Sequence, residues 1–179
     1  MRILKAVEGS VLWLFEGNSS AAKNLKKEAF KLGINEDRLI FAKHMPVDEH
    51  LKRIQLADLF MDTLPYNAHT TTSDALRMGL PVLTCIGQSF ASRVAASLLK
   101  AVNMPELITT TQEHYEALAI ELATHPEKLT LIRAQLVANL ATAPLYDTAL
   151  FTKHLESAYL TMYDRYQNGL APEHIVVEH

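Results

Sequence analysis

Short apolar runs alternate with amphipathic segments along most of the chain. The apolar runs predict β-strands at positions 11–15, 38–42, 59–62, 80–84 and 107–109. Apolar residues at helical spacing predict helices at positions 20–32, 47–57, 70–78, 89–102, 112–123, 126–141 and 148–167. Strands that alternate with helices favour an α/β domain of three layers, in which helices cover both faces of a parallel sheet.

Residues at the ends of these segments support the assignment. Ser19 or Ser20 is suited to cap the first predicted helix, and Gly33 suits the position just after its end. Pro126 suits the first turn of a later helix, where the missing N–H has no partner to lose. The run Val11–Phe15 is apolar throughout, which predicts a strand buried on both faces.

Composition and charge narrow the function classes. The chain has 179 residues, 49% of them hydrophobic, and a net charge of −3, as expected for a folded domain without general attraction to nucleic acid or acidic membranes. The sequence has neither a secretory signal nor an apolar run near the ~20 residues of a membrane-spanning helix. The single cysteine, Cys85, excludes a disulfide framework, fits a cytoplasmic location and is expected to be a core thiol.

The loop at 62–74 is the most informative candidate site, because it joins a strand end to a helix N-terminus. Helix N-termini bind phosphate through free N–H groups, and His69 and the hydroxyls of Thr70–Thr72 can donate to the same anion. Ordinary capping of the helix by a threonine or by Asn67 is the competing interpretation. Asp74 is positioned either to accept a ribose hydroxyl or to act as a favourable charge in the first helical turn.

The segment at 43–53 is a second candidate site, where another loop enters a helix. His50 and Arg53 are three residues apart and therefore share a helix face. A planar base could stack on His50 while Arg53 bonds its edge or its phosphate. The competing interpretation is a solvated face with an ion pair between Asp48 and Lys52.

The segment at 87–99 is the third, with Ser89 as a helix cap. Arg93 either faces the substrate or has a structural role, and we favour the structural role. Established dinucleotide, P-loop and nucleophile-elbow motifs are absent from the sequence. Histidines and carboxylates lack metalloprotease spacing, and His125, His154 and His174 are expected at the surface. We identify no catalytic residue.

Two long motifs carry a resemblance to a known family. The stretches LADLFMDTLPYNAHTTTSDALRMGLPVLT and GQSFASRVAASLL resemble the C-terminal catalytic region of the protein O-linked N-acetylglucosamine transferases and their bacterial and Spindly-like relatives. The resemblance runs from about Ile3 to about Tyr166. It implies a GT-B fold of two Rossmann-like lobes, of which this chain would be the lobe that binds the nucleotide sugar.

The resemblance also implies roles for residues that match the family's motifs. His69, Thr70 and Thr71 match the family's contacts to the diphosphate, and Asp74 matches the acid that binds the ribose. The matches around the base are Met45, through its backbone, together with His50 and Arg53. Val47 stands where the family can hold a lysine near the ribose, and a valine side chain cannot make that polar contact.

The activity implied is transfer of N-acetylglucosamine from UDP-N-acetylglucosamine to serine or threonine, without a metal or other cofactor. The partners implied are the N-terminal lobe, tetratricopeptide repeats and an acceptor protein, and without them the chain is expected to be inactive. The alternatives are a non-catalytic α/β interaction module, or a GT-B enzyme with another sugar nucleotide, such as GDP-fucose, or a non-protein acceptor.

The expected division of the chain is a nucleotide-sugar-binding lobe at 1–145, a helix at 146–168 that crosses to the first lobe, and a tail at 169–179. The crossing helix is expected to expose Leu155, Tyr159 and Met162. Glu178 and His179 at the end of the tail have the residue types of a tag remnant or of a natural terminus.

Overall fold

The structure is a computed structural model that describes residues 1–177. Its strands are β1 (Leu12–Phe15), β2 (Leu39–Ala42), β3 (Phe60–Met61), β4 (Val82–Cys85) and β5 (Ile108–Thr109). Its helices are α1 (Arg2–Ala6), α2 (Ser19–Lys31), α3 (Val47–Ile54), α4 (Thr70–Arg77), α5 (Val94–Ala101), α6 (Gln112–Thr124), α7 (Pro126–Leu140) and α8 (Thr148–Gln167). The α/β class is therefore confirmed. The possible tag residues Glu178 and His179 lie outside the described residues.

Every predicted strand and helix is present, and most differences lie at their ends. Helix α1 was not predicted from the sequence, because its five residues are too few to give a helical period. The predicted helix at 89–102 is a 3₁₀ turn at Phe90–Ser92 followed by α5. Ser89 does cap that turn, since its side chain accepts the N–H of Ser92.

The expected ends of two helices are largely confirmed. Gly33 has a φ of +75° just after α2, a conformation that favours glycine, and Pro126 is the first residue of α7. The predicted cap at Ser19 or Ser20 is wrong, because both residues are already inside α2. Asn18 caps the helix instead, and its Oδ1 accepts the N–H of Ala21 at 2.7 Å.

All strand pairs are parallel, as predicted. Within residues 1–177 they form two hydrogen-bonded groups, β1–β2 and β3–β4–β5, instead of one continuous sheet. Strand β4 is buried throughout, and α4, α5 and α6 all pack against it. The free thiol of Cys85 is buried at the end of β4, as expected for a core residue.

Strand β1 packs on the core with one face only, so the expectation that this apolar run is buried on both faces is wrong. Leu12 and Leu14 pack on the smaller core cluster with α1 and α2. Trp13 and Phe15 point to the other face and are 37% and 63% exposed. An apolar strand sequence cannot distinguish these cases, because the helices that cover a face lie elsewhere in the chain.

Helix α8 has no buried residue, and Leu155, Tyr159 and Met162 are exposed on it as predicted. No helix in the described part of the chain is long and apolar enough to span a membrane. His125 and His174 are exposed as expected, whereas His154 on α8 is half-buried.

Candidate functional site

The loop from β3 to α4 is organised by the carboxylate of Asp62. This side chain is buried; Oδ1 accepts the N–H of Ala68 at 2.7 Å, and Oδ2 accepts the hydroxyl of Thr84 at 2.6 Å. The backbone carbonyl of Asp62 also accepts the hydroxyl of Tyr115 at 2.8 Å. These bonds fix the chain immediately before α4. Sequence reasoning missed this role, although Asp62 and Thr84 each lie at the carboxyl end of an apolar run.

Asn67 joins this loop to the next one. It is fully buried, its N–H donates to the carbonyl of Ala91 at 2.9 Å, and its Nδ2 donates to the carbonyl of Thr63 at 2.8 Å. Its Oδ1 is buried without a hydrogen-bond partner among the described residues. Asn67 therefore braces the loop and does not cap α4.

The N-terminus of α4 has no side-chain cap, so the capping interpretation is wrong. His69 occupies the N-cap position, and Thr70 and Thr71 are exposed, with no hydrogen bond from either hydroxyl within residues 1–177. Thr72 differs, because its buried hydroxyl donates to the carbonyl of Ala68 at 2.9 Å. Two of the three predicted threonine donors are thus available to a ligand, together with the free N–H groups of the first turn.

The ring of His69 is held between two aromatic side chains. Tyr66 stacks on it with a centroid distance of 4.9 Å, and Phe90 meets it edge-on at 6.1 Å. Its Nε2 lies 3.4 Å from the carbonyl oxygen of Ala91, too long for a strong bond. The imidazole is therefore oriented by ring packing beside the start of α4.

His50 and Arg53 form the second part of the site, on α3. Nη2 of Arg53 lies 2.8 Å from Nδ1 of His50, which confirms that the two share a face. Nη1 of Arg53 donates to the carbonyl of Lys43 at 3.0 Å. The competing Asp48–Lys52 pair is absent from the ion pairs of the described residues.

Met45 and Asp74 complete the set of predicted positions. Met45 is half-buried in the loop from β2 to α3, and α3 packs beside α4. Asp74 is half-buried on α4, and its carboxylate has no hydrogen-bond or ion-pair partner within residues 1–177. The first turn of α4 contains no acidic residue, so the interpretation of Asp74 as a first-turn charge is wrong. Tyr146 lies nearby and donates to the carbonyl of Ser73 at 2.7 Å.

Within residues 1–177, no three His, Cys, Asp or Glu side chains are grouped as a metal site requires. Arg93 is exposed and makes no side-chain hydrogen bond or ion pair in that part of the chain, so no polar contact supports its predicted structural role.

Burial raises the pKa of the Tyr146 hydroxyl, and the nearby Asp74 carboxylate contributes to the rise. Tyr146 therefore remains a hydrogen-bond donor at neutral pH.

The family model for glycosyl transferase family 41 matches residues 1–155. The chain belongs to this family. The UDP-N-acetylglucosamine–peptide N-acetylglucosaminyltransferase of Caenorhabditis elegans is 33% identical over 175 residues, which cover 98% of this chain and 15% of that protein. A probable enzyme of the same name, SEC of Arabidopsis thaliana, is 35% identical over 176 residues, or 98% of this chain and 18% of its own length.

A solved structure has the same fold as this chain. An O-GlcNAc transferase mutant from Thermobaculum terrenum aligns with a TM-score of 0.85 and 32% identity, over 94% of this chain and 33% of that chain. The resemblance inferred from the two motifs is therefore confirmed. The chain spans less than a fifth of the length of the two curated relatives.

Proposed function

We propose that this chain is the donor-binding lobe of a protein O-glycosyltransferase, which transfers N-acetylglucosamine from UDP-N-acetylglucosamine to serine or threonine. The observation that carries the proposal is the N-terminus of α4, which has His69 at its N-cap and no side-chain cap among the described residues. The hydroxyls of Thr70 and Thr71 beside it have no hydrogen-bond partner in that part of the chain. The names of the two curated relatives supply the donor and the peptide acceptor.

The diphosphate of the donor would bind at this helix end. The first-turn N–H groups and about half a positive charge from the helix dipole suit an anion. Thr70 and Thr71 add two hydroxyl donors, and His69 adds a ring N–H. In the parent reaction the leaving diphosphate gains negative charge, so the same groups would stabilise the transition state. This contribution needs no metal.

The nucleoside would extend from there toward α3. His50 offers a ring face for the base, Arg53 offers donors to its edge, and Met45 offers a backbone contact in the adjoining loop. Asp74 has a carboxylate with no other partner in the described part of the chain, which supports a role as acceptor for the ribose hydroxyls.

The remaining parts of the reaction would come from outside this chain. We assign no general base among the described residues, so acceptor activation is assigned to the other lobe of the parent protein. Its tetratricopeptide repeats would select the acceptor protein, and helix α8 would rest on that lobe. We place the parent in the cytoplasm, where a single free cysteine stays reduced.

The same proposal assigns residues 1–145 to the lobe, 146–168 to the crossing helix and 169–179 to a tail. Tyr146, the first residue assigned to the crossing helix, donates a hydrogen bond to the carbonyl of Ser73 on α4. The boundary between the lobe and the crossing helix therefore lies next to a contact between the two. The tail begins beside α8, where Arg165 pairs with Glu173.

Calorimetry of the chain with UDP and with GDP tests the proposal. We expect binding of UDP that is weakened in Thr71→Ala and unchanged in Thr152→Ala, an exposed threonine on α8. Preference for GDP would assign a different sugar nucleotide to the lobe. Absence of binding to either nucleotide at millimolar concentration would contradict a donor site that works within this chain.

A further inference from the structure

Trp13 lies beside the candidate base site, although it belongs to a strand far from that site in sequence. The zeta carbon of Arg53 lies 5.6 Å from the centroid of the Trp13 ring, within the range of a cation–π contact. The ring projects from β1 on the face opposite the core, and Trp13 pairs in register with Ile40 of β2. Leu12 and Leu14 are the residues of β1 that pack against the smaller core cluster, and Trp13 takes no part in that packing.

The guanidinium of Arg53 is held by three different groups. Besides the ring of Trp13, it contacts the carbonyl of Lys43 at 3.0 Å and Nδ1 of His50 at 2.8 Å. A guanidinium only donates hydrogen bonds, so Nδ1 of His50 must accept and the ring hydrogen is on Nε2. The orientation of Arg53 thereby fixes both the tautomer and the ring position of His50.

We propose that Trp13 is a positioning residue of the base site, acting through Arg53 and, through Arg53, on His50. The proposal rests on the proposed function and extends it to a residue that neither of the two motifs contains. The ligand it would help to recognise is a nucleoside diphosphate, and specifically its base. A residue that acts in this way should affect binding of the base and leave the diphosphate contacts at α4 unchanged.

Phe15 is a matched control for Trp13. It lies on the same strand and the same exposed face, two residues further on, and its ring has no cation near it among the described residues. Replacing either residue by leucine removes an exposed aromatic ring from β1. Only the Trp13 change removes the ring under Arg53.

The test is calorimetric affinity for UDP and for inorganic pyrophosphate in five variants. The variants are Trp13→Leu, Trp13→Phe, Phe15→Leu, Arg53→Ala and Trp13→Leu combined with Arg53→Ala. Exposed cation–π contacts correspond to about a two- to five-fold change in an equilibrium constant, so we expect Trp13→Leu to weaken UDP binding by about that factor. We expect Trp13→Phe to keep most of the affinity and Phe15→Leu to keep all of it.

Two further results separate positioning from general folding effects. Pyrophosphate affinity should be unchanged in Trp13→Leu, and Trp13→Leu should add no further loss to Arg53→Ala, because both act on one interaction. Trp13 is the only tryptophan of the chain, so its fluorescence should shift when Arg53 is changed to alanine and when UDP binds.

The outcomes distinguish this proposal from the one it rests on. If the unchanged protein binds UDP and Trp13→Leu binds it equally well, the role of Trp13 is wrong and the donor lobe stands. A loss of equal size for UDP and pyrophosphate, or an additive loss in the double variant, would also overturn it. If the unchanged protein binds no nucleotide, both proposals fail.

Discussion

Asp62 and Ala68 are joined across six residues by a 2.7 Å hydrogen bond from the backbone N–H of Ala68 to the Asp62 carboxylate. The other carboxylate oxygen accepts the hydroxyl of Thr84 on β4. The loop that leads into α4 is therefore tied to the sheet directly before His69. A ligand at the start of α4 would meet a surface that is already ordered, which reduces the conformational entropy lost on binding.

Asp62→Asn should destabilise the fold, because an amide offers one acceptor oxygen where the structure uses two. The –NH₂ group would face either the N–H of Ala68 or the hydroxyl of Thr84. Hydrogen bonds to charged groups contribute about 1.5–3 kcal/mol each, so we expect a loss of that order in the free energy of unfolding, measured with urea. Asp58→Asn is the control, because Asp58 is exposed, and an equal loss there would refute the assignment to the loop.

Titration of Tyr115 should make the free energy of unfolding depend on pH in the alkaline range. Burial, reinforced by the Asp62 carboxylate, raises the pKa of the Tyr115 hydroxyl well above its usual value. In the unfolded chain this hydroxyl titrates near a pKa of about 10. Above that pH the native state binds more protons than the unfolded state, so the free energy of unfolding falls as the pH rises, by at most about 1.4 kcal/mol per pH unit.

The Tyr115→Phe variant isolates this contribution. Below pH 10 it should be less stable than the unchanged protein by about 1 kcal/mol, because the hydrogen bond to Asp62 is lost. Above pH 10 the difference should shrink. Urea unfolding at a series of pH values measures it, with Tyr163→Phe, at an exposed position, as the control. A difference that stays constant across the series would show that Tyr115 titrates normally.

A methyl group added at Gly87 should not fit without moving its neighbours. A Cβ added there would lie 2.4 Å from Oγ and 2.7 Å from Cβ of the buried residue Ser92. The backbone of Gly87 also donates to the carbonyl of Ser92 at 2.8 Å, so the two segments cannot separate without breaking that bond. We expect Gly87→Ala to lower the free energy of unfolding by about 1–3 kcal/mol, the usual range for overpacking.

Gly17→Ala provides the comparison for Gly87→Ala, since a Cβ there would meet only the Phe15 ring at an ordinary contact distance of 3.7 Å. Urea midpoints of the two variants should differ clearly. Because the Gly87 loop holds Asn67 through Ala91, the loss should be accompanied by weaker UDP binding. Equal midpoints would mean that the loop moves aside without cost.

The sequence predicted most of the fold because the pattern was strong where elements are long. Helix α8 was predicted with its exact bounds, since it has many helical turns over which the period is visible. Helix α1 and the exposed face of β1 were not predicted, because no local sequence pattern indicates either of them. The first is too short for a period, and the second depends on which helices pack on the strand.

Part of the candidate site was predicted because its residues lie within one helix, where the helical period is visible in the sequence. His50 and Arg53 were placed on one face by helical spacing alone, which their 2.8 Å contact confirms. Trp13 and Asp62 were not identified, because their partners lie at sequence separations that no local pattern connects. The binding roles of the predicted residues remain predictions.

Helix α8 should make the isolated chain associate with itself. Tyr159 is 58% exposed, and Leu155, Met162 and Tyr163 are exposed at helical spacing from it, which gives one continuous apolar stripe. Such a stripe is characteristic of a contact surface, and in the isolated chain another copy is the available partner. We expect sedimentation to show concentration-dependent association, reduced in Tyr159→Glu. Thr161→Glu places the same charge on the opposite side of the helix and should leave association unchanged. If both variants behave alike, net charge governs association, and the stripe is not the contact surface.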